Sequence, residues 1–306
     1  MYEKTLIWWT PWCAGGIGDR LLGMITAYCI AKRTGRDFLI KWDCSDLSSV
    51  IPMNQKYNYY AHQVPYTEII NSNVENMTYF ETVDIEKAWP QHVLIWSNFN
   101  IFVHFCKKYN IPRQEYVKEY LDAVSCIFTE IFHPIPEVYE LIPKGIETSV
   151  GIHIRTHDNQ FESEENKVKQ IPYIRDILER CKKHMDSLGT AGGTVFIASD
   201  CSLTVSLAKE IFGDSYTILS TSGTILHCGT NKDFDKSGVI RVFADLLSLS
   251  RCSSLYLGWN TNFSRIGYLL NAYRRAYTFE YPEKPREIYE CSLGTWLDYF
   301  SIGGRS

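Results

Sequence analysis

The chain has 306 residues, of which 45% are hydrophobic and 22% are charged. This is the composition of a globular protein with ordinary cores, long enough for two domains of about 100–200 residues each. The formal net charge of −4 gives no global basis for binding nucleic acid or an anionic membrane surface. Any anionic ligand must therefore be held by a local site.

The first predicted strand is Leu6–Trp9, and an amphipathic helix is predicted over 21–34, where apolar residues recur at a spacing close to 3.6. Between them lies a glycine-rich turn whose candidate donor-binding residues are Gly16, Gly18, Asp19 and Arg20. Glycines let a backbone approach a ligand closely, and the amides that begin a helix attract anions. The turn lacks the Gly-x-Gly-x-x-Gly fingerprint, so a tight strand-to-helix connection explains it equally well.

The rest of the first half is less regular. A second strand begins at Asp37–Lys41, and residues 45–100, which are rich in Asn, Tyr and Gln, are predicted to form long loops around short strands such as His92–Trp96. A helix is predicted over 115–132, and residues 133–147, which contain several prolines, form the predicted linker to a second domain.

The second half alternates strands and helices. Strands are predicted at 149–154, 194–198, 216–220 and 254–258, with helices at 172–188, 202–212, 238–250 and 263–272. Four such repeats are typical of a doubly wound α/β fold with a parallel sheet. The aromatic-rich residues 276–306 are predicted to form a tail that packs across both domains.

Polar side chains follow the strands of this second half. They are His153, Arg155, Asp158, Asp200 and the run Asn260, Thr261, Asn262 and Ser264. In open parallel sheets, ligands bind beyond the carboxyl ends of the strands. A guanidinium at that edge, here Arg155, can hold a phosphate through two donors. The alternative is that Arg155 and Asp158 form a local ion pair at the end of the strand.

The cysteine pattern and the hydropathy of the chain indicate in which cellular compartment it is expected to reside. The ten cysteines include no Cys-x-x-Cys pair, and several lie in apolar runs, which favours free thiols in a reducing compartment. No apolar run approaches the length of a membrane span, and Thr5–Trp9 is too short for a signal peptide. We therefore expect a cytoplasmic protein without a membrane span.

Three motifs give the chain a resemblance to the fucosyltransferase superfamily, which includes α-1,6-fucosyltransferases, nodulation fucosyltransferases and protein O-fucosyltransferases. The first is His153-Ile154-Arg155 followed by Asp158, and the second is the strand that ends in Ser199-Asp200. The third runs from Gly238 through Asp245 and Arg251 to Asn260-Thr261-Asn262-Phe263-Ser264-Arg265. The turn Gly16–Arg20 also resembles an N-terminal turn of some members. The second motif departs from the family pattern at Cys201, where relatives often have an aspartate.

The resemblance implies a GT-B glycosyltransferase with two Rossmann-like doubly wound domains facing each other across a cleft. Residues 1–145 would be the acceptor-side domain and 146–275 the nucleotide-sugar domain. The implied reaction is metal-independent transfer of a sugar, typically L-fucose from GDP-fucose, onto a glycan hydroxyl with inversion. No cofactor is implied beyond the nucleotide-sugar donor.

Residue roles are carried over from the same resemblance. Arg155 would hold the β-phosphate, and His153 and Asp245 would face the guanine; for Asp245 the alternative is a capping or ion-pair role. The implied donor-binding set also contains Asp200, Asn260, Thr261, Asn262, Phe263 and Ser264. The general base would be Asp158, Glu162 or Glu164, with a solvated acidic loop as the alternative.

Two other readings of the chain stay open. The same fold could use another donor, such as UDP-xylose, or could be a non-catalytic nucleotide- or glycan-binding protein.

Asp233-Phe234-Asp235 matches the Asp-x-Asp of metal-dependent transferases, but that motif belongs to a different fold, and we predict no metal.

Overall fold

The computed structural model describes residues 2–10, 16–43, 45–70, 75–98, 100–156, 164–225, 235–258, 261–271, 274–279 and 287–291. The described residues form two compact units, one up to Ile135 and one from Pro136. The division falls inside the predicted linker 133–147.

The first unit is built on a four-stranded sheet. Its strands are β1 (Thr5–Thr10), β2 (Asp37–Trp42), β3 (Thr67–Ile70) and β4 (His92–Trp96). Its helices are α1 (Ile17–Arg33), α2 (Ser45–Val50), α3 (Tyr59–His62), α4 (Glu75–Thr82), α5 (Ile85–Ala88), α6 (Ile101–Lys108) and α7 (Arg113–Cys126), and π-helical residues Ile127–Ile131 follow α7. The strand order is β2-β1-β4-β3, and all pairs are parallel.

Helix α1 packs directly against the chain that leaves β4. A Cβ on Gly23 would lie 1.6 Å from the carbonyl oxygen of Ser97, so only glycine allows this approach. The indole of Trp8 donates to the same carbonyl at 3.1 Å. Thr34 is the C-cap residue of the helix, and Gly35 follows it with φ +61°, the left-handed conformation that favours glycine at the end of a helix.

The prediction of long loops over residues 45–100 is wrong in part. This stretch contains α2–α5, a 3-10 turn at Gln55–Tyr57, and the strand β3 besides β4. Each of these helices has four to eight residues. Helices of one or two turns are too short to show a repeating apolar face, and their stability comes from tertiary packing.

The second unit has a six-stranded sheet. Its strands are β5 (Val150–Ile154), β6 (Thr194–Ser199), β7 (Thr217–Leu219), β8 (Ser254–Leu257), β9 (Arg275–Thr278) and β10 (Tyr289–Cys291). Its helices are α8 (Pro136–Glu140), α9 (Glu164–Lys169), α10 (Ile171–Ser187), α11 (Ser202–Phe212), α12 (Lys236–Arg251) and α13 (Asn262–Leu270). The order is β10-β9-β8-β5-β6-β7, and only β10 is antiparallel to its neighbour.

The four predicted strand–helix pairs of the second half are confirmed, and with them the α/β fold class of two parallel, Rossmann-like sheets. The described part of the predicted tail 276–306 differs from its prediction because it contributes strands β9 and β10 to the sheet. The rest of that tail, 280–286 and 292–306, lies outside the described residues.

The strand order locates the edge where a ligand binds. From β5 the chain adds β6 and β7 on one side, then crosses to add β8 and β9 on the other. The order therefore reverses between β5 and β8, and in open parallel sheets such a reversal leaves a crevice beyond the carboxyl ends of the two strands. All five residues of β5 are buried, so this crevice rests on the core of the unit.

The described cysteines are buried free thiols. They are Cys29, Cys106, Cys126, Cys181, Cys201, Cys252 and Cys291. Burial raises the pKa of Cys106 to about 12, which keeps this thiol protonated and unreactive. Among the described residues, no helix combines the length and the apolar character needed to cross a membrane.

Candidate functional site

The crevice between β5 and β8 brings together side chains from both strand ends. His153, the penultimate residue of β5, places Nδ1 2.6 Å from the hydroxyl of Ser264 in the first turn of α13. The ring of Phe263 lies over His153, with 4.9 Å between the ring centroids. Residues 111 positions apart in the sequence thus meet where the strand order reverses.

His153 is an uncharged member of this site. It is buried, and loss of hydration together with the neighbouring Arg155 lowers its pKa from 6.5 to about 3. A neutral imidazole has one donor nitrogen and one acceptor nitrogen. His153 therefore supplies directed hydrogen bonds at neutral pH without adding positive charge.

Arg155 follows β5 and is paired with the end of the neighbouring strand. Its Nη1 lies 3.0 Å from Asp200 Oδ2, and 28% of the arginine side chain is exposed. The other carboxylate oxygen of Asp200 accepts hydrogen bonds from the backbone N–H and the hydroxyl of Thr156, at 3.0 and 2.9 Å. Asp200 therefore fixes both the guanidinium and the backbone beside it, while the guanidinium stays accessible to solvent.

The amino end of α13 adds positive electrostatic potential to the same edge. Thr261 caps the helix, accepting the Ser264 N–H on its hydroxyl at 3.2 Å. Asn262 accepts from the guanidinium of Arg265 at 2.7 Å. The unpaired amides and the dipole at a helix start favour an anion, so the helix and Arg155 both favour negative charge.

Asp245 lies in the middle of α12 in a polar cluster of its own. It accepts a short hydrogen bond from the Thr221 hydroxyl, and Arg241 Nε lies 3.8 Å from its other oxygen. Burial raises the pKa of Asp245 to about 6, although Arg241 and Thr221 act in the opposite direction. The contact with Arg241 matches the alternative role given above for Asp245, that of an ion-pair partner. Neither Thr221 nor Arg241 was predicted, because a loop partner and an i,i+4 cation carry no distinctive sequence signal.

The glycine-rich turn lies in the first unit. Gly16 is the N-cap residue of α1, and its N–H donates to the carboxylate of Asp19 at 3.0 Å. Gly18 and Arg20 are buried, the arginine completely. In this arrangement Asp19 caps the amino end of the helix.

Several predicted residues lie outside the described parts of the chain. Asp158, Glu162, Asn260 and Asp233 belong to this group. Glu164 begins α9, but its side chain is not described. Asp235 caps α12, where it accepts the Ser237 N–H at 3.0 Å. Within the described residues, no cluster of His, Cys, Asp and Glu has the arrangement of a metal site.

Comparison with known proteins identifies this architecture. No protein-family model matches the chain, and no curated protein matches it. Among solved structures, a GDP complex of a variant of Arabidopsis thaliana FUT1 is 13% identical, with a TM-score of 0.62 over 95% of this chain and 75% of that one. An α-1,6-fucosyltransferase, NodZ, soaked with GDP-fucose is 13% identical, with a TM-score of 0.59 over 95% of this chain and 99% of that one.

NodZ from Bradyrhizobium gives a similar result, with 12% identity and a TM-score of 0.59 over 95% of this chain and 99% of that chain. The fold is that of the fucosyltransferases. The resemblance indicated by the motifs is therefore confirmed at the level of the fold. At these identities the fucosyltransferase fold alone is shared, and the chemistry has to be argued from the side chains.

Proposed function

We propose that the protein is a GT-B glycosyltransferase that transfers L-fucose from GDP-fucose to a hydroxyl of a glycan. The observation that carries this proposal is Arg155, held by Asp200 at the carboxyl edge of β5, where the strand order reverses. The site lies beside the amino end of α13. The FUT1 and NodZ structures that share the fold carry GDP or GDP-fucose, which supports a guanine nucleotide as the donor's leaving group.

The chemistry of an inverting transfer fits these groups. The acceptor oxygen forms a bond to the anomeric carbon from one side while the bond to the β-phosphate oxygen breaks on the other. The departing nucleoside diphosphate gains negative charge, which a preorganised guanidinium and helix amides stabilise. A guanidinium has five N–H donors in a fixed fork, so Arg155 can bind phosphate while Asp200 orients it.

The proton of the acceptor hydroxyl needs a base. We propose one carboxylate of Asp158, Glu162 or Glu164 for this role, because the resemblance places the base shortly after the first motif. In the sequence, these carboxylates lie within ten residues of the end of β5. His153 is a poor candidate, since its pKa of about 3 makes it a weak base.

A panel of nucleotide sugars tests the proposal. The protein is incubated with GDP-fucose, UDP-xylose and related donors, with a mixture of oligosaccharide acceptors, and nucleotide release and product mass are measured. We expect GDP release from GDP-fucose that survives excess EDTA. Release of UDP alone would move the donor to the UDP-sugar alternative, and release of neither nucleotide would favour a non-catalytic binding protein.

A further inference from the structure

One face of the first unit's sheet is only partly covered. Ile7, Leu39 and Leu94 form a small core on this face, and Val64 packs against it. Two residues further along the same strands, Trp9, Lys41 and Trp96 continue the face toward the carboxyl edge, with Trp9 in register with both of the others. The face thus changes at its end from aliphatic core to aromatic and charged side chains.

The carboxyl end of this face carries a group of aromatic rings, which we call the aromatic surface. It consists of Trp9, Tyr59, Tyr60, Tyr66 and Trp96. The rings contact one another, with centroid distances of 6.4 Å for Trp9–Trp96, 5.5 Å for Tyr59–Tyr60 and 5.8 Å for Tyr59–Tyr66. Tyr60 is 49% exposed and Tyr66 36%, and the other three are half-buried, so the rings present apolar area to solvent while supporting one another.

Two charged groups lie within the aromatic surface. The ammonium of Lys41 lies 5.1 Å from the ring centroid of Trp9, 5.9 Å from that of Tyr59 and 5.6 Å from that of Tyr66. Lys41 also donates to the Tyr66 hydroxyl at 3.3 Å. Asp43, just after β2, accepts from the Trp9 indole at 2.5 Å and from the Tyr60 hydroxyl. These bonds fix the positions of both charges and of three rings before any ligand arrives.

We propose that the aromatic surface, with Lys41 and Asp43, binds the glycan acceptor. This inference rests on the proposed transferase function. The C–H face of a pyranose ring is apolar and packs against aromatic rings, while its hydroxyls need donors and acceptors at the rim. Ligand sites of this kind combine aromatic lining with a few fixed polar groups. Asp43 has remaining lone pairs for sugar hydroxyls, and Lys41 supplies donors.

The charges favour a neutral glycan over a nucleic acid. Single-stranded nucleic acids also stack on aromatic side chains, but their sites add a positively charged groove that follows the phosphates. Here one lysine is accompanied by one carboxylate, and the carboxylate would repel phosphate. A neutral oligosaccharide has no such conflict.

The inference is tested first by binding of the full chain to a microarray of neutral oligosaccharides with many linkages. The glycan that binds best is then titrated into the protein, and the intrinsic tryptophan fluorescence is measured. No nucleotide is added. Tyr60→Ala and Tyr66→Ala each remove an exposed ring. Tyr139→Ala is the matched control, because Tyr139 is 44% exposed and lies in the second unit.

We expect saturable binding that each of the two tyrosine variants weakens by about tenfold, as loss of an aromatic contact commonly does. Tyr139→Ala should bind like the wild type. Absence of binding to every printed glycan, or equal affinity in the two tyrosine variants and the wild type, would overturn the inference. Calorimetry with GDP is run in parallel, so that a protein that binds glycans but not GDP would refute the proposed donor and leave this site intact.

Discussion

At the scale of single residues, Arg155 carries the largest predicted effect on activity. Arg155→Ala should lower the rate of sugar transfer by about 100- to 1000-fold, because it removes a preorganised group that stabilises the charge of the leaving diphosphate. The fold should persist, since the side chain is partly exposed at a strand end. Steady-state GDP release and circular dichroism measure the two quantities.

Arg175 provides a matched control for this substitution. It also forms an ion pair, at 2.9 Å with Glu210, but between two helices and with a more exposed side chain. Arg175→Ala should therefore transfer at the wild-type rate. If Arg155→Ala were to behave in the same way, Arg155 would have no role at the phosphate.

Two buried residues of the second unit should give the stability opposite dependences on pH. Asp245 binds a proton more readily when folded, since its pKa rises from 3.8 to about 6. Between these values the folded state holds more protons, so this group lowers the free energy of unfolding as pH rises. His153 has its pKa lowered from 6.5 to about 3, so the unfolded state holds more protons and its contribution rises with pH.

Asp245→Asn separates the two contributions. The difference in free energy of unfolding between wild type and variant should fall by about 3 kcal/mol from pH 3 to pH 7, which is the shift of the Asp245 pKa at about 1.4 kcal/mol per unit. Urea denaturation at a series of pH values measures this difference. Arg241 and Thr221 face the carboxylate in the folded state, and a difference that does not fall with pH would mean that these contacts offset the effect of burial on the Asp245 pKa.

The residues of the site differ in how far the sequence predicts them. His153, Arg155, Asp200 and Ser264 each follow, or nearly follow, a predicted strand, and strand ends of a parallel sheet share one edge. The structure brings these four residues together at that edge. The Thr221–Asp245 bond was not predictable, because it joins a loop to the middle of a helix. Lys41 and Asp43 also stand at the end of a predicted strand, and the same rule places them at the carboxyl edge of the first sheet.

At the scale of elements, two helical glycines should respond oppositely to alanine. At Gly23 a Cβ would meet the backbone of Ser97 at 1.6 Å, and backbone cannot move aside as a side chain can. At Gly267 the nearest atoms belong to Leu249 and lie at 3.5 Å, which is ordinary contact. Gly23→Ala should therefore cost about 3 kcal/mol or more through overpacking, whereas Gly267→Ala should be neutral or gain about 0.5–1 kcal/mol of helix propensity.

Differential scanning calorimetry of both variants checks this pair. Each substitution adds the same methyl group to a helix, so the Gly267 variant controls for the chemistry of the change. Similar unfolding temperatures for the two variants would show that α1 can move away from the chain that follows β4.

The elements that the sequence predicts well are the long ones. Helices α10 and α12 have 17 and 16 residues and alternate with apolar strands, so the helical periodicity and the apolar strand segments are both recognisable in the sequence. The helices α2–α5 and the strands β9 and β10 are short, and a few residues do not display a period. Their structure depends on the sheets against which they pack, and a single sequence does not specify that packing.

At the scale of the whole molecule, the proposed nucleotide-sugar donor raises the question of which nucleobase the protein binds. Guanine presents N1–H and N2–H₂ as adjacent donors, and a carboxylate accepts from both. Uracil presents one N–H between two carbonyls, which a carboxylate repels. If Asp245 faces the base, GDP should bind about 10- to 100-fold more tightly than UDP, since a hydrogen bond to a charged group contributes about 1.5–3 kcal/mol.

Asp245→Asn should reduce that preference, because a carboxamide replaces one acceptor with a donor and loses the charge. Asp235→Asn is the control on the same helix, where the carboxylate caps α12. Calorimetric titration of GDP and UDP into the wild type and both variants measures the preference. Equal preference in the wild type and Asp245→Asn would leave Asp245 with only its structural contacts to Thr221 and Arg241, and tighter binding of UDP by the wild type would exclude the guanine assignment.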